Sequence, residues 1–435
     1  MSTENRIAET EVRTQRPEVP RDLAREVIDP TVHASDRIHE VFARLRADQP
    51  LGLVVTEEFD PFWLVTRQAD LRSIAAQPDL FNNGDRLVLV DRASEHRIAE
   101  LLGGQRFPIR TILQMDPPEH TFYRNITAEY FHARGIDALA DQIRAIARGF
   151  VDDLIETGGE CDFTRTVSFL YPLRVIMSIM GVPREDEPEM LRLTQEFMGA
   201  GDDEDFQRED IGASGGDTLA AVTREFNAYF DVLLANRRSH PRDDVVSAIA
   251  NARLEGAELP DLEARSYCAH LATAGHETTS SVTSGGMLAL CNDPALFRRI
   301  KADRSLIRPF VEEASRFATP SKITMRTVAR DTVHAGRAFQ KGDWMAMAWA
   351  SGNRDEAVIA DPDVFRIDRQ PNKHITYGVG AHVCLGQHLA RLEMRILFEE
   401  LFERLDSVEL AGEPKVLKSL IVSGLKSLPI RFHAR

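Results

Sequence analysis

Residues 261–292 are apolar on nearly every side, a pattern that a helix carries only when it is buried all round. At about 1.5 Å per residue such a helix spans a domain, so the rest of the chain has to wrap around it. On length alone, 435 residues could make two or three domains.

Within that run stands Ala272-Thr273-Ala274-Gly275-His276-Glu277-Thr278-Thr279. Ala274 and Gly275 leave a groove in an otherwise bulky helix. Beside it Thr278 can return its hydroxyl to a carbonyl one turn earlier, or offer it to water or dioxygen. The neighbouring carboxylate of Glu277 is costly to bury unless it is paired or used. A plain kink with a solvated Glu is the bland alternative. His276-Glu277 does not open a zinc-binding H-E-x-x-H, because the fifth position is Ser280.

A second constellation lies near the C-terminus: Tyr377-Gly378-Val379-Gly380-Ala381-His382-Val383-Cys384-Leu385-Gly386. Its glycines allow bends closed to other residues and leave room for a flat ligand. Leu389, Leu392, Ile396, Leu397 and Leu401 then repeat at helical spacing, which sets a helix N-terminus beside Cys384. Helix dipole and free N–H groups there favour a thiolate, either a metal ligand or a nucleophile. Cys161, Cys268 and Cys291 read as buried packing residues.

The loop resembles the haem-thiolate loop of the cytochrome P450 family, with Tyr377 where the family most often has Phe. The resemblance implies a mainly α fold with a smaller β region, in which haem b sits between the long central helix and the helix that follows its ligand, Cys384. Tyr377, Gly378 and Gly386 would then border the cofactor on the thiolate side, and Ala274 and Gly275 on the other. Thr278 and Glu277 match the family's acid-alcohol pair, which assists use of O2 and supplies protons.

Other segments match by position. In Asp116-Pro117-Pro118-Glu119-His120-Thr121-Phe122-Tyr123-Arg124, His120 and Arg124 share a helical face and resemble partners of the haem propionates, as do Arg326 and His382. Glu313 and Arg316 resemble the structural E-x-x-R element. Its usual third partner is an arginine in a P-x-R-F turn, but Pro362-Asp363-Val364-Phe365 has Val364 there; Arg354 or Arg369 could replace it. Residues 41–432 align with the bacterial soluble class and look closest to the terpineol-hydroxylating subfamily. That implies hydroxylation of a small apolar substrate, a monoterpenoid or an alkyl-aromatic hydrocarbon, in a pocket drawn from Ile109, Leu113, Leu271, Ala274, Ile323 and Val422.

The dinucleotide pattern G-x-G-x-x-G is missing, since Gly199-Ala200-Gly201 is followed by Glu204 at the third site. Electrons are therefore expected from another protein, which the resemblance implies is an iron-sulfur ferredoxin with its NAD(P)H-dependent reductase, docking near Arg124 and Arg391. A haem-thiolate peroxygenase and a non-catalytic haem-binding protein are the alternatives. Gly212-Ala213-Ser214-Gly215-Gly216 spells a hydrolase elbow, but polar residues precede it where a buried strand is required.

A formal charge of −15 disfavours nucleic acid. Four unpaired cysteines, a polar start and no long apolar run point to a cytoplasmic protein that does not cross a membrane, expected as a monomer. The domain reading is a flexible tail over residues 1–30, then the one domain that the resemblance implies over 31–435, with mobile loops at about 82–115, around a weak helical patch at 95–102, and at 199–217. Helices are expected over residues 38–47, from about 118 to 156, and over 188–198 and 219–237. Strands are expected at 53–56, 62–66, 332–334 and 344–347.

Overall fold

The structure, a computed structural model, describes residues 16–84, 86–101, 104, 109–199 and 215–435. Most of it is helical, and the long apolar run forms its axis. That run is not one helix, as the sequence suggests, but two, Asp261–Ala274 and Glu277–Asn292. Gly275 ends the first and His276 opens the second.

The helices Glu119–Phe131, Ala140–Glu156, Leu170–Met180, Ile307–Ala318 and Gln387–Arg404 surround this axis. Their apolar faces form the main core, in which Phe150, Tyr171, Phe226, Phe310 and Phe398 are buried. At about 25 cal/mol per Å² of apolar area removed from water, such rings dominate the stabilisation of the helical half.

The smaller β region is a five-stranded sheet in the order Leu51–Val54, Phe62–Val65, Trp344–Ala348, Ile323–Val328, Phe81–Asn82. Only the pair of Phe62–Val65 with Trp344–Ala348 is parallel; its other pairs are antiparallel. Two further core clusters pack on it, one around Leu23, Phe42 and Ile323, the other around Trp63, Phe81 and Met345. The first strand starts and ends two residues earlier than the β-branched run implied.

Two expectations change. The tail expected up to residue 30 does not extend that far, because Arg21–Val27 is a helix with Leu23, Ala24 and Val27 buried. Residues 1–15 lie outside the described residues. The weak helical patch expected at 95–102 within the loop over 82–115 is a full helix, Arg92–Leu101, held to the helix Gly215–Ser239 by bonds from Arg97 Nε and Nη2 to Asp217. Of the second loop, residues 200–214 lie outside the described residues, and with them most of the hydrolase-like elbow. No helix among the described residues is long and apolar enough to cross a membrane.

Candidate active site

The break in the central axis is made by its own side chains. Thr278 Oγ1 donates to the carbonyl of Ala274 at 2.8 Å, the backward bond that its spacing allowed. A Cβ on Gly275 would lie 2.7 Å from Ile176 Cγ1, so only glycine lets Leu170–Met180 approach this closely. Between residues 271 and 284, the partly accessible residues are Ala274, Gly275, Glu277 and Thr278. The groove foreseen in the sequence is thus a local opening in a buried helix.

Glu277 stands at this opening, partly accessible. Burial alone pushes its carboxyl up to about 7. Its Oε1 is 3.6 Å from Nδ1 of the fully buried His276, which itself meets Thr194 Oγ1 at 2.9 Å. Glu277 also lines a recess with Gln195, Ser280, Ser281 and Lys426. A carboxyl so placed holds a proton near neutrality and can pass it on.

In the glycine-rich loop, Gly378 and Gly380 take φ of +71° and +77°, and a Cβ on Gly380 would strike the carbonyl of Ala75. The amide of Cys384 donates to Tyr377 O at 2.8 Å, which closes the loop just ahead of the helix Gln387–Arg404. Cys384 opens onto a recess rather than a free surface: it is exposed, yet burial pushes its thiol up against the opposing pull of the Gly386 amide, Arg124 and Arg391. The thiolate expected from the helix terminus alone is therefore outweighed by burial, a balance that a cation at the sulfur reverses. A Cβ at Gly386 would meet nothing within 4 Å, so open space lies beside the sulfur.

A basic group gathers around that space. The rings of His120 and His382 are 4.2 Å apart between centroids, and both ring nitrogens of His382 are buried without a partner. Burial, then His120, Arg326 and Arg124, push His382 down to about 3. Arg326 is buried, gives Nη1 to Met325 O at 2.7 Å, and falls to about 10 through burial, with Asp116 pulling the other way. Such a set is costly unless an anionic partner fills it.

The cytochrome P450 family model matches residues 86–432. The chain is 41% identical to cytochrome P450-terp of Pseudomonas sp, over 96% of this chain and 99% of that protein. It is 28% identical to linalool 8-monooxygenase of Pseudomonas putida, over 92% of this chain and 97% of that one. The crystal structure of CYP108D1 from Novosphingobium aromaticivorans superposes with a TM-score of 0.89 at 39% identity, covering 96% of this chain and all of that one, 100%. The chain belongs to the cytochrome P450 family. It is an oxidoreductase, of a family that uses haem with cysteine-thiolate ligation and O2. The expected likeness to the terpineol-hydroxylating subfamily holds.

The residues of this P450 fit that group. The buried Arg326, the half-buried Arg124 and an orphaned imidazole match the two propionates, and Gly386 leaves the sulfur's flank clear. Behind the loop, Arg316 pairs with Glu313 through Nε at 2.8 Å and Nη2 at 2.7 Å, both side chains fully buried. Arg316 also gives Nη1 to Asn353 O and Pro362 O. Arg369 supplies the second cation to Glu313 and so the third member of the brace, while Arg354 turns to Asp363 and the ring of Phe317. Asn372 completes the set at 3.0 Å from Glu313 Oε2, a role that nothing in its local sequence signals.

Tyr377 differs from the family's usual Phe in a defined way. Ser315 Oγ spends its proton on Val311 O at 2.8 Å, so the Tyr377 hydroxyl, 3.1 Å away, is the donor to Ser315. The guanidinium of Arg391 lies 3.9 Å from the Tyr377 ring centre and is bound to Glu312 at 2.6 Å. Arg391, expected on the docking surface, is thus committed to bracing the loop.

The pocket candidates divide. Leu271 is one turn before Ala274, and the segment holding Ile109 and Leu113 is tied to the same helix by the Arg110 amide on Ser266 Oγ and by Arg110 on Glu263. Val422 is buried and belongs to none of the three core clusters, as a wall residue should. Ile323 is different. Three residues from Arg326 on one strand, it faces the opposite side and packs with Leu23, Ile38 and Phe42, so it is core.

Proposed function

We propose that this P450 is a monooxygenase that hydroxylates a small apolar substrate, a monoterpenoid or an alkyl-aromatic hydrocarbon, with electrons from an iron-sulfur ferredoxin. The observation that carries the reading is Cys384 at a recess rimmed by His120, Arg124, Arg326 and a partnerless His382, with an accessible Glu277 and Thr278 at a break in the central helix. Cys384 would hold the haem iron. The four basic residues would neutralise the propionates.

When bound, haem with a thiolate ligand supplies the oxidising power for insertion of one oxygen atom. The chain's own residues do the rest. Glu277 keeps its proton until about pH 7 and delivers it into the groove. Thr278 holds its hydroxyl on Ala274 O and can turn it toward a guest. Leu271 and Val422, with the segment at Ile109 and Leu113, would exclude water and orient an apolar substrate.

The class of substrate is supported by the apolar character of these side chains and by the names P450-terp and linalool 8-monooxygenase among the relatives. The test is the reduced protein with carbon monoxide, then product formation from α-terpineol and p-cymene with a ferredoxin and its reductase. Thiolate-type absorbance and a hydroxylated product are expected. Absence of that absorbance overturns the reading, and turnover with peroxide but none with ferredoxin favours a peroxygenase.

A further inference from the structure

Lys322 is buried, yet among the described residues it makes no ion pair with a carboxylate. Its ammonium donates to two backbone carbonyls, His33 O at 2.9 Å and Ser419 O at 3.0 Å. These lie on segments far apart in sequence: the helical turn Pro30–His33 and the turn at residues 419–423. A buried cation without a counter-charge is expensive and persists only where its hydrogen bonds hold something in place.

What it holds is the turn that carries Val422. Ser419 Oγ accepts the amides of Ile421 at 3.1 Å and Val422 at 3.2 Å, so the residue gripped by Lys322 also shapes the backbone that presents Val422. The amide of Lys322 donates to Ile421 O at 2.8 Å, and Ser321 bridges Val422. On its far side the turn reaches the central helix: Ser423 Oγ gives its proton to Ala318 O at 2.7 Å and receives Ser281 Oγ at 3.3 Å. Ser281 is three residues beyond Thr278. The turn is therefore wedged between Lys322 and the helix that carries the acid-alcohol pair.

We propose that Lys322 is a positioning residue for the substrate pocket, pinning the turn at 419–423 so that Val422 stands as a fixed wall, with the firmness of that wall set by the protonation of its amine. The inference rests on the reading of the recess as the haem and substrate site. Other groups facing the amine are the buried His33 and the half-buried His39, each with a buried Nδ1 unpartnered, and behind them Arg46 and Arg354; Asp29 faces His33. Burial pushes His33 down to about 4 and His39 well below its usual range, so neither changes charge near neutrality. Burial brings Lys322 to about 7. Below that pH the charged amine grips both carbonyls; above it the neutral amine grips them weakly and the turn relaxes.

The test uses the haem-loaded protein and two ligands that do not titrate, methyl isocyanide and cyclohexyl isocyanide, followed by haem absorbance. Their affinity ratio cancels effects at the iron and reports the room near Val422. From about pH 5.5 to about pH 8.5 the ratio should shift by about tenfold toward the bulky ligand, with a midpoint near neutrality. Lys322→Met should show the relaxed ratio at every pH. Glu277→Gln, which removes the site carboxyl that is also brought to about 7, should keep the shift.

A ratio that is flat with pH in the unaltered protein, a shift that survives Lys322→Met, or one abolished by Glu277→Gln overturns the assignment. Should Lys322→Met fail to take up haem, the profiles of the unaltered protein and of Glu277→Gln decide alone. A thiolate-type spectrum with a flat ratio sinks Lys322 only, whereas no such spectrum removes the proposed function as well.

Discussion

Arg369 Nε lies 3.0 Å from Glu313 Oε1, reaching the brace from five residues beyond Val364, whose carbonyl it also holds through Nη2 at 2.8 Å. The family's usual arginine is missing at 364, and the backbone there is gripped instead by Arg316 and Arg369 together. Glu313 thus receives Arg316, Arg369, Asn372 and the amide of Arg366. Burial raises its carboxyl, but these donors more than offset that and hold it below the usual carboxylate range.

This arrangement separates two substitutions. Arg316→Leu leaves a buried carboxylate with its main partner gone and should cost about 3–5 kcal/mol, with loss of haem binding. Arg369→Ala removes one of the several donors to Glu313, with the bonds from Arg369 to the carbonyls of Ala360, Asp361 and Val364, and should cost about 1–3 kcal/mol, with haem retained. Chemical denaturation followed by circular dichroism, beside haem absorbance, measures both. Equal effects would show that Arg369 is not a subordinate member of the brace.

Glu277 makes the reaction pH-dependent in a stated direction. Its carboxyl is raised to about 7 by burial, so it carries a proton below that pH and loses it above. Product formed per O2 consumed should fall as pH rises through neutrality. Glu277→Gln should lower the rate by about 10²-fold and flatten the profile, with carbon monoxide binding unchanged. Oxygen-electrode and product assays across pH distinguish this from a purely structural carboxyl, for which the slope would remain.

The chemistry of this site was more legible in the sequence than its support. The ligand loop and the octapeptide around Thr278 are contiguous, and each performs its geometry locally: the Tyr377–Cys384 bond and the Thr278–Ala274 bond both close within a few residues. The break in the central helix was written there too, in Gly275, but hydrophobic patterning alone ran across it because both halves are buried. What could not be read depends on partners remote in the chain. Asn372 joins Glu313 from 59 residues away, and Arg369, named in the sequence only as an alternative to Arg354, from 56. Lys322 meets His33 across 289 residues and Ser419 across 97. Ile323 was misplaced because strand alternation, which turns it away from Arg326, needs the strand's register to be known.

Glu312 gives a stability profile on the acid side. Burial raises its carboxyl, yet hydrogen bonds from His374 at 2.9 Å and Arg391 at 2.6 Å overcome this and bring it to about 2. A folded-state value below the unfolded one contributes stability that is complete above the unfolded value near 4.5 and is lost as pH falls from about 5 toward 2. Glu312→Gln should therefore destabilise at neutral pH by about 1–3 kcal/mol and shrink the difference as the solution is acidified. Urea unfolding at pH 7 and at pH 3 checks it. A difference that stays constant between the two would place the stabilisation in packing rather than charge.

Gly275 offers the sharpest test of the helix break. Added to this glycine, a methyl group would stand 2.7 Å from Ile176 Cγ1 and 3.0 Å from Leu271 O, the second of which is backbone and cannot step aside. In an exposed helix, Gly→Ala would stabilise by about 1 kcal/mol. Here overpacking opposes that gain, and Gly275→Ala should destabilise by about 1–3 kcal/mol. Ile176→Ala removes the Cγ1 that forms the first obstacle and leaves the second, so the loss in the pair Gly275→Ala with Ile176→Ala should be smaller than the sum of the two single losses. The Thr278 bond to Ala274 O spans the glycine, so the same change should weaken coupling of O2 consumption to product. Thermal unfolding of the single and double variants, with peroxide release measured alongside, decides the matter: a stabilised Gly275→Ala would mean that the close approach of the two helices does not hold the break open.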